Sequence, residues 1–178
     1  MKRPLLFVFI AAVAMASFIW GLFAWRDTHP RYSTTAYALK AGYSLEIPNG
    51  WPRPDEQSKF VVVENAPDLR DGSLDRFGWN ISIFDHGAAG NSESALEELR
   101  SGCVKPPRVD DVVLANGVTA KTFTCWMFMG EINQEHRGYV FKGRNGRIYT
   151  VWQPMARDWR TKKRYDNLFR AIIGSMKF

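Results

Sequence analysis

VDDVVLANGVTAKTFTCWMFMGEINQEHRGYVFKGRNGRIYTVWQ, residues 109–153, decides the fold. Val109–Leu114 reads as a strand, and Asn116-Gly117 after it is a type I′ hairpin signal, because both central positions of that turn need positive φ. Val118–Met129 returns as a long strand. Arg137–Lys142 and Arg147–Gln153 flank Gly143-Arg144-Asn145-Gly146, a second hairpin. A chain that turns back on itself at short turns builds an antiparallel meander.

On the N-terminal side, Pro106-Pro107 enforces extended chain. Asn91–Ser101 changes to helical period, with Ser94 and Glu97 spaced as a capping box and Ala95, Leu96 and Leu99 as an apolar stripe. Trp79–Phe84 and Phe60–Val63 read as strands, and Asn65–Arg76 as a polar loop. In Ala36–Pro48, alternating Tyr37/Leu39 and Tyr43/Leu45/Ile47 flank Gly42 as a hairpin, ended by Pro48-Asn49-Gly50, Pro52 and Pro54. On the C-terminal side, the segment from Asp158 is helical. Tyr165, Leu168, Phe169, Ile172 and Ile173 form its apolar face, Gly174 suits a C′ stop, and Ser175–Phe178 suits an edge strand. The expectation is one α+β domain over 36–178, an antiparallel β-sheet with packed helices.

Before that domain lies LLFVFIAAVAMASFIWGLFAW, Leu5–Trp25, with no charged residue. A helix of that length covers roughly 30 Å, the thickness of a bilayer's hydrocarbon core. Ala14-Met15-Ala16 resembles a signal-peptidase site, but cleavage after Ala16 would leave a very apolar new terminus. We therefore expect residues 1–25 to be an uncleaved signal-anchor transmembrane helix and 26–35 a short stalk. Trp20 and Trp25 suit an interfacial belt, and Lys2 and Arg3 favour a cytoplasmic N-terminus. In a Gram-negative bacterium the chain would be a single-pass inner-membrane protein with its globular domain in the periplasm.

The cysteines are Cys103 and Cys125. Two buried thiols are one reading, but an exported pair invites a disulfide. Charge is segregated. Residues 26–135 hold 11 Lys/Arg against 16 Asp/Glu, whereas 136–178 hold 11 against 2. Arg144, Arg147, Arg157, Arg160, Lys162, Lys163 and Arg164 form a candidate partner-binding basic face.

The element YALKAGYSLEIPNGW (Tyr37–Trp51), the central helix, the meander with its Asn-Gly turn and the ending FRAIIGSMKF (Phe169–Phe178) together resemble the PsbP/DcrB-like family. That resemblance implies an αβα sandwich around an antiparallel sheet. It covers most of residues 36–178, and its motifs are structural. The family includes envelope lipoproteins, photosystem assembly proteins and small chaperones of type VI secretion effectors, and it offers no catalytic set to carry over. The present chain differs in having an apolar helix where the lipoproteins have an acylated cysteine.

The search for chemistry finds little. The histidines are His29, His86 and His136, and no G-x-S-x-G elbow, H-E-x-x-H helix or P-loop occurs. Asp68, Asp71 and Asp75 do not match calcium-loop offsets, and Arg70 and Arg76 compete for them. Neither cofactor nor metal is expected, and nucleic acid is a poor partner for an exported chain. The expected function is a non-enzymatic envelope protein whose domain binds a protein partner with an acidic surface, in one form as an immunity or adaptor protein for a secreted effector. The alternative is an accessory factor that binds anionic lipid or envelope polymer through its basic surface.

Overall fold

The computed structural model describes residues 3–28, 32–64, 79–129, 132–156 and 159–178. The Asn65–Arg76 loop with its aspartates, His29 and Arg157 lie outside the described residues. Helix α1 (Arg3–Thr28) leads to the strands β1 (Thr34–Ala38) and β2 (Ser44–Pro48), then β3 (Asp55–Gln57), β4 (Phe60–Glu64) and β5 (Asn80–Gly87). Helix α2 (Ser92–Gly102) precedes the meander β6 (Arg108–Val113), β7 (Thr119–Met129), β8 (Ile132–Lys142) and β9 (Ile148–Pro154), and α3 (Trp159–Gly174) ends the fold. Side chains of α1 are described over 10–25, and among the described residues no helix is long and apolar enough to cross a membrane. The described residues therefore do not show the spanning segment expected of Leu5–Trp25.

The main sheet is seven-stranded, in the order β3-β4-β5-β9-β8-β7-β6, and every pairing in it is antiparallel. Successive side chains on a strand face opposite ways, so the sheet has two apolar faces. One carries Val61, Ile83, Val151 and Tyr139, and is covered by the Leu168/Phe169/Ile172 stripe of α3 together with Leu45 and Ile47 of the β1–β2 hairpin. The other carries Phe123, Cys125 and Val140 against Ala95, Leu96 and Leu99 of α2. The layering is thus α3 and hairpin, sheet, α2. Gly138 makes it possible on the α2 side, since a Cβ there would lie 2.5 Å from the Phe123 ring.

Three hairpins share one turn. Leu39, Leu114 and Gly143 each donate their N–H to the residue four ahead, Tyr43, Val118 and Arg147, at 2.8–2.9 Å. Each also accepts from the glycine three ahead, Gly42, Gly117 or Gly146, which has φ between +77° and +82°. This is the three-residue loop with a left-handed glycine. The type I′ expectation at Asn116-Gly117 is corrected accordingly: Asn116 does not have positive φ, and its side chain accepts the Val118 N–H at 3.2 Å instead.

Other local readings change too. Asn91, not Ser94, caps α2, with its side chain accepting from the Ser94 N–H. Strand β8 begins five residues before Arg137, because the full length of β7 offers it a partner down to Met129↔Ile132. Gly174 belongs to α3 and lacks positive φ. Its missing side chain makes room for Ala115, 2.9 Å from where a Cβ would stand. The expected C-terminal edge strand reduces to one bridge, Ser44↔Lys177.

Candidate functional site

Cys103 and Cys125 form a disulfide. It ties the C-cap of α2 to β7, and neither sulfur is left as a nucleophile. Among the described residues no group of three or more His, Cys, Asp or Glu is placed to hold a metal ion.

The expected basic face is divided between two ends of the molecule. Arg144 and Arg147 lie on the β8–β9 turn, beside the C-terminal end of α3. Arg160, Lys162, Lys163 and Arg164 lie at its N-terminal end. Arg160 and Gly174 are roughly 20 Å apart at helical rise. Most of these cations are engaged within the fold. Arg147 donates from Nε to Oδ2 of buried Asp85 at 2.8 Å, and the other carboxylate oxygen accepts the Gly87 N–H. This hydrogen bond and the charge of Asp85 push the Arg147 guanidinium pKa further up. Arg144 donates to the Asn116 carbonyl, Lys162 pairs with Glu135 at 3.5 Å, and Arg164 donates to the Tyr32 hydroxyl at 3.2 Å. Lys163 is exposed. Arg160 stands over two indoles, 5.2 Å from the Trp20 centroid and 5.4 Å from that of Trp159.

A second site lies on the other side of the sheet. Helix α2 is 11 residues long and cannot cover seven strands. Next to it a groove of about 220 Å³ opens between Leu99 on α2 and Phe84, Met127 and Trp152 on the sheet. Phe60 extends this apolar floor, its ring 5.7 Å from that of Trp152. One end of the groove is polar. His86 Nε2 is 2.8 Å from Thr150 Oγ1, and its Nδ1 is 3.4 Å from exposed Glu98. Burial lowers the His86 pKa, while the nearby carboxylates of Glu98 and Asp85 oppose that shift. The imidazole can therefore serve as a neutral hydrogen-bonding group at the rim. The groove was not apparent from the sequence, because its walls come from α2, β5, β7 and β9.

Also on the α2 face, His136 is the cross-strand partner of Cys125. It is buried, and neither ring nitrogen has a hydrogen-bond partner. Burial brings its pKa down to about 4.

These features define an α+β domain with a stapled helix, one open sheet face and a cationic–aromatic cluster beside an apolar helix. No protein-family model and no curated protein matches the chain. Among solved structures, it is similar to a Pseudomonas aeruginosa protein of unknown function, PA94. The TM-score is 0.38 at 13% identity, over 70% of this chain and 83% of that one. A likeness at that level carries no argument about either fold or function.

Proposed function

We propose that this chain is a non-enzymatic protein anchored in a membrane by α1, and that its domain binds a protein partner in an oxidising space outside the cytoplasm. The observation that carries the reading is α1. Phe18, Trp20 and Phe23 are 68%, 63% and 65% exposed, on a helix whose sequence has no charge from Leu5 to Trp25. A long apolar surface of this kind calls for cover, and a bilayer core about 30 Å thick matches the length of the run. The disulfide supports the oxidising compartment. In a Gram-negative bacterium that compartment is the periplasm, and the membrane is the inner one.

The partner reading rests on the groove beside α2. Phe84, Met127 and Trp152 offer an apolar slot of the kind that receives an interface anchor, and Glu98 of α2 lines it with negative charge. The partner that fits presents an apolar side chain next to a cation. The acidic partner suggested by the C-terminal charge fits less well, since Arg147 and Lys162 are paired with Asp85 and Glu135 and Arg144 and Arg164 are hydrogen-bonded within the fold. An immunity or adaptor role toward a secreted effector is one form of this activity.

The test uses full-length protein in its membrane, with Gly102→Phe and Glu98→Lys as variants. A Cβ at Gly102 meets open space, so a phenyl there would block the groove mouth without displacing the core. After crosslinking and solubilisation, each variant should recover a protein partner about fivefold to tenfold less well than wild type, with an unchanged melting curve. Equal recovery by both variants would remove the groove as the docking site. Release of the wild-type protein by alkaline carbonate would remove the anchor.

A further inference from the structure

We infer that the first turn of α3 is a headgroup-binding element, in which Arg160 and Lys163 take the phosphates of anionic lipid at the outer surface of the membrane that holds α1. The inference rests on the reading of α1 as an anchor and adds a lipid contact made by the globular domain itself.

The geometry begins with α1 and α3, which pack against each other. Their junction is placed along α1 by Trp20, whose ring lies under the Arg160 guanidinium at 5.2 Å. From Leu5 to Trp20 the helix rises roughly 22 Å, and Trp25 lies roughly 8 Å further on. The contact with α3 thus sets the outer boundary of the span near Trp20, a short span that local thinning of the bilayer accommodates, and leaves Trp25 in the headgroup layer where indoles collect. Arg160 is held at that depth by two rings, since its guanidinium also lies 5.4 Å from the Trp159 centroid. Trp159 is itself 58% exposed, a large apolar surface facing the same boundary. An arginine in contact with two indoles keeps an apolar stem on the rings and its charged fork free for phosphate.

Charge supports the same partner. The first turn of α3 has no acidic residue. Lys163 follows Arg160 by three positions and so shares its side of the helix. Lys162 and Arg164, between and beside them, turn to Glu135 and Tyr32. The sequence KKR at 162–164 therefore separates into two inward members and one outward, Lys163, on the helix side where Arg160 stands against α1. A protein partner would have to reach this cluster at the membrane surface, whereas anionic lipid is already there.

The experiment measures lipid retention by native mass spectrometry on the full-length protein in detergent, titrated with phosphatidylglycerol or with phosphatidylcholine. Wild type should retain phosphatidylglycerol in preference, and raising the salt should weaken that preference. Arg160→Gln with Lys163→Gln should weaken it roughly tenfold to thirtyfold, at about fivefold per cation, with phosphatidylcholine retention and the melting curve unchanged. Equal phosphatidylglycerol retention by wild type and the double variant would overturn the inference. Carbonate extraction of the same wild-type protein separates the two readings. Extraction would sink the anchor and the lipid site together, while resistance with indifference to headgroup charge would sink the lipid site alone.

Discussion

At the scale of single residues, the most consequential group is His136. It sits on β8 between Cys125 and Pro154, its cross-strand partners, and no polar atom meets its ring nitrogens. Burial lowers its pKa from the usual 6.5 to about 4. In the unfolded chain it takes up a proton near pH 6.5, whereas in the folded chain it does so only near pH 4. Between those values the unfolded state binds more protons, so stability falls as pH falls. The loss reaches about 3 kcal/mol below pH 4. Urea unfolding between pH 4 and pH 7 should show this slope, and His136→Leu should flatten it while raising stability at pH 7 by about 1–2 kcal/mol, since two unsatisfied polar atoms leave the core. An unchanged slope in the variant would assign the pH dependence to other groups. Asp85 with Arg147 teaches a related lesson. The arginine reads as a surface cation until the fold brings it to a carboxylate 62 residues away, and charge counted by segment cannot see that pairing.

At the scale of elements, α2 depends on its staple. It buries three side chains, Ala95, Leu96 and Leu99, too few to hold 11 residues firmly, and the disulfide pins its end to β7. Closing a loop with a sequence separation of 22 stabilises the fold by roughly 3 kcal/mol in the chain-entropy model. Cys103→Ser with Cys125→Ser should lower stability by about that amount and raise amide exchange in α2 before the sheet. Uniform exchange across both would mean that α2 holds without the bridge. The helix and the meander were legible in the sequence because their patterns are local: the Leu96/Leu99 stripe, and glycine three residues after each turn begins. Strand β3 was not, since Asp55-Glu56-Gln57 has no apolar alternation and is a strand only because β4 offers it an edge. The start of β8 was missed for the same reason, with Asn133, Gln134 and Glu135 ordered by β7 rather than by their own burial. The groove is the extreme case, since Phe84, Leu99, Met127 and Trp152 are unremarkable one by one and meet only when four elements are in place.

At the scale of the whole molecule, the β1–β2 hairpin stands apart from the main sheet and follows α1 directly in the chain. Five residues of β1 pair with β2 alone, and four of them are exposed. The far strand is better fastened. Leu45 and Ile47 are buried, and Ser44 exchanges two backbone hydrogen bonds with Lys177, at 2.8 and 2.9 Å. Phe178 then packs beside Tyr43, Phe141 and Tyr149, so its ring helps to clamp the second strand. This arrangement has a mechanical meaning. If a bound partner pulls the domain away from the membrane, then once the contacts of α1 and Tyr32 with α3 part the load reaches the hairpin at Thr34, next to its partner Pro48. Tension applied at that end peels the ladder one rung at a time instead of shearing all rungs together. Strand β1 can then lengthen the tether while the seven-stranded sheet bears no force. Single-molecule pulling from α1 should give a short, low-force extension ahead of the main rupture, and rupture in one step would show that β1 is as firmly held as the rest. The hairpin would work as a strain relief, letting a captured partner move with respect to the membrane without the grip on it being undone.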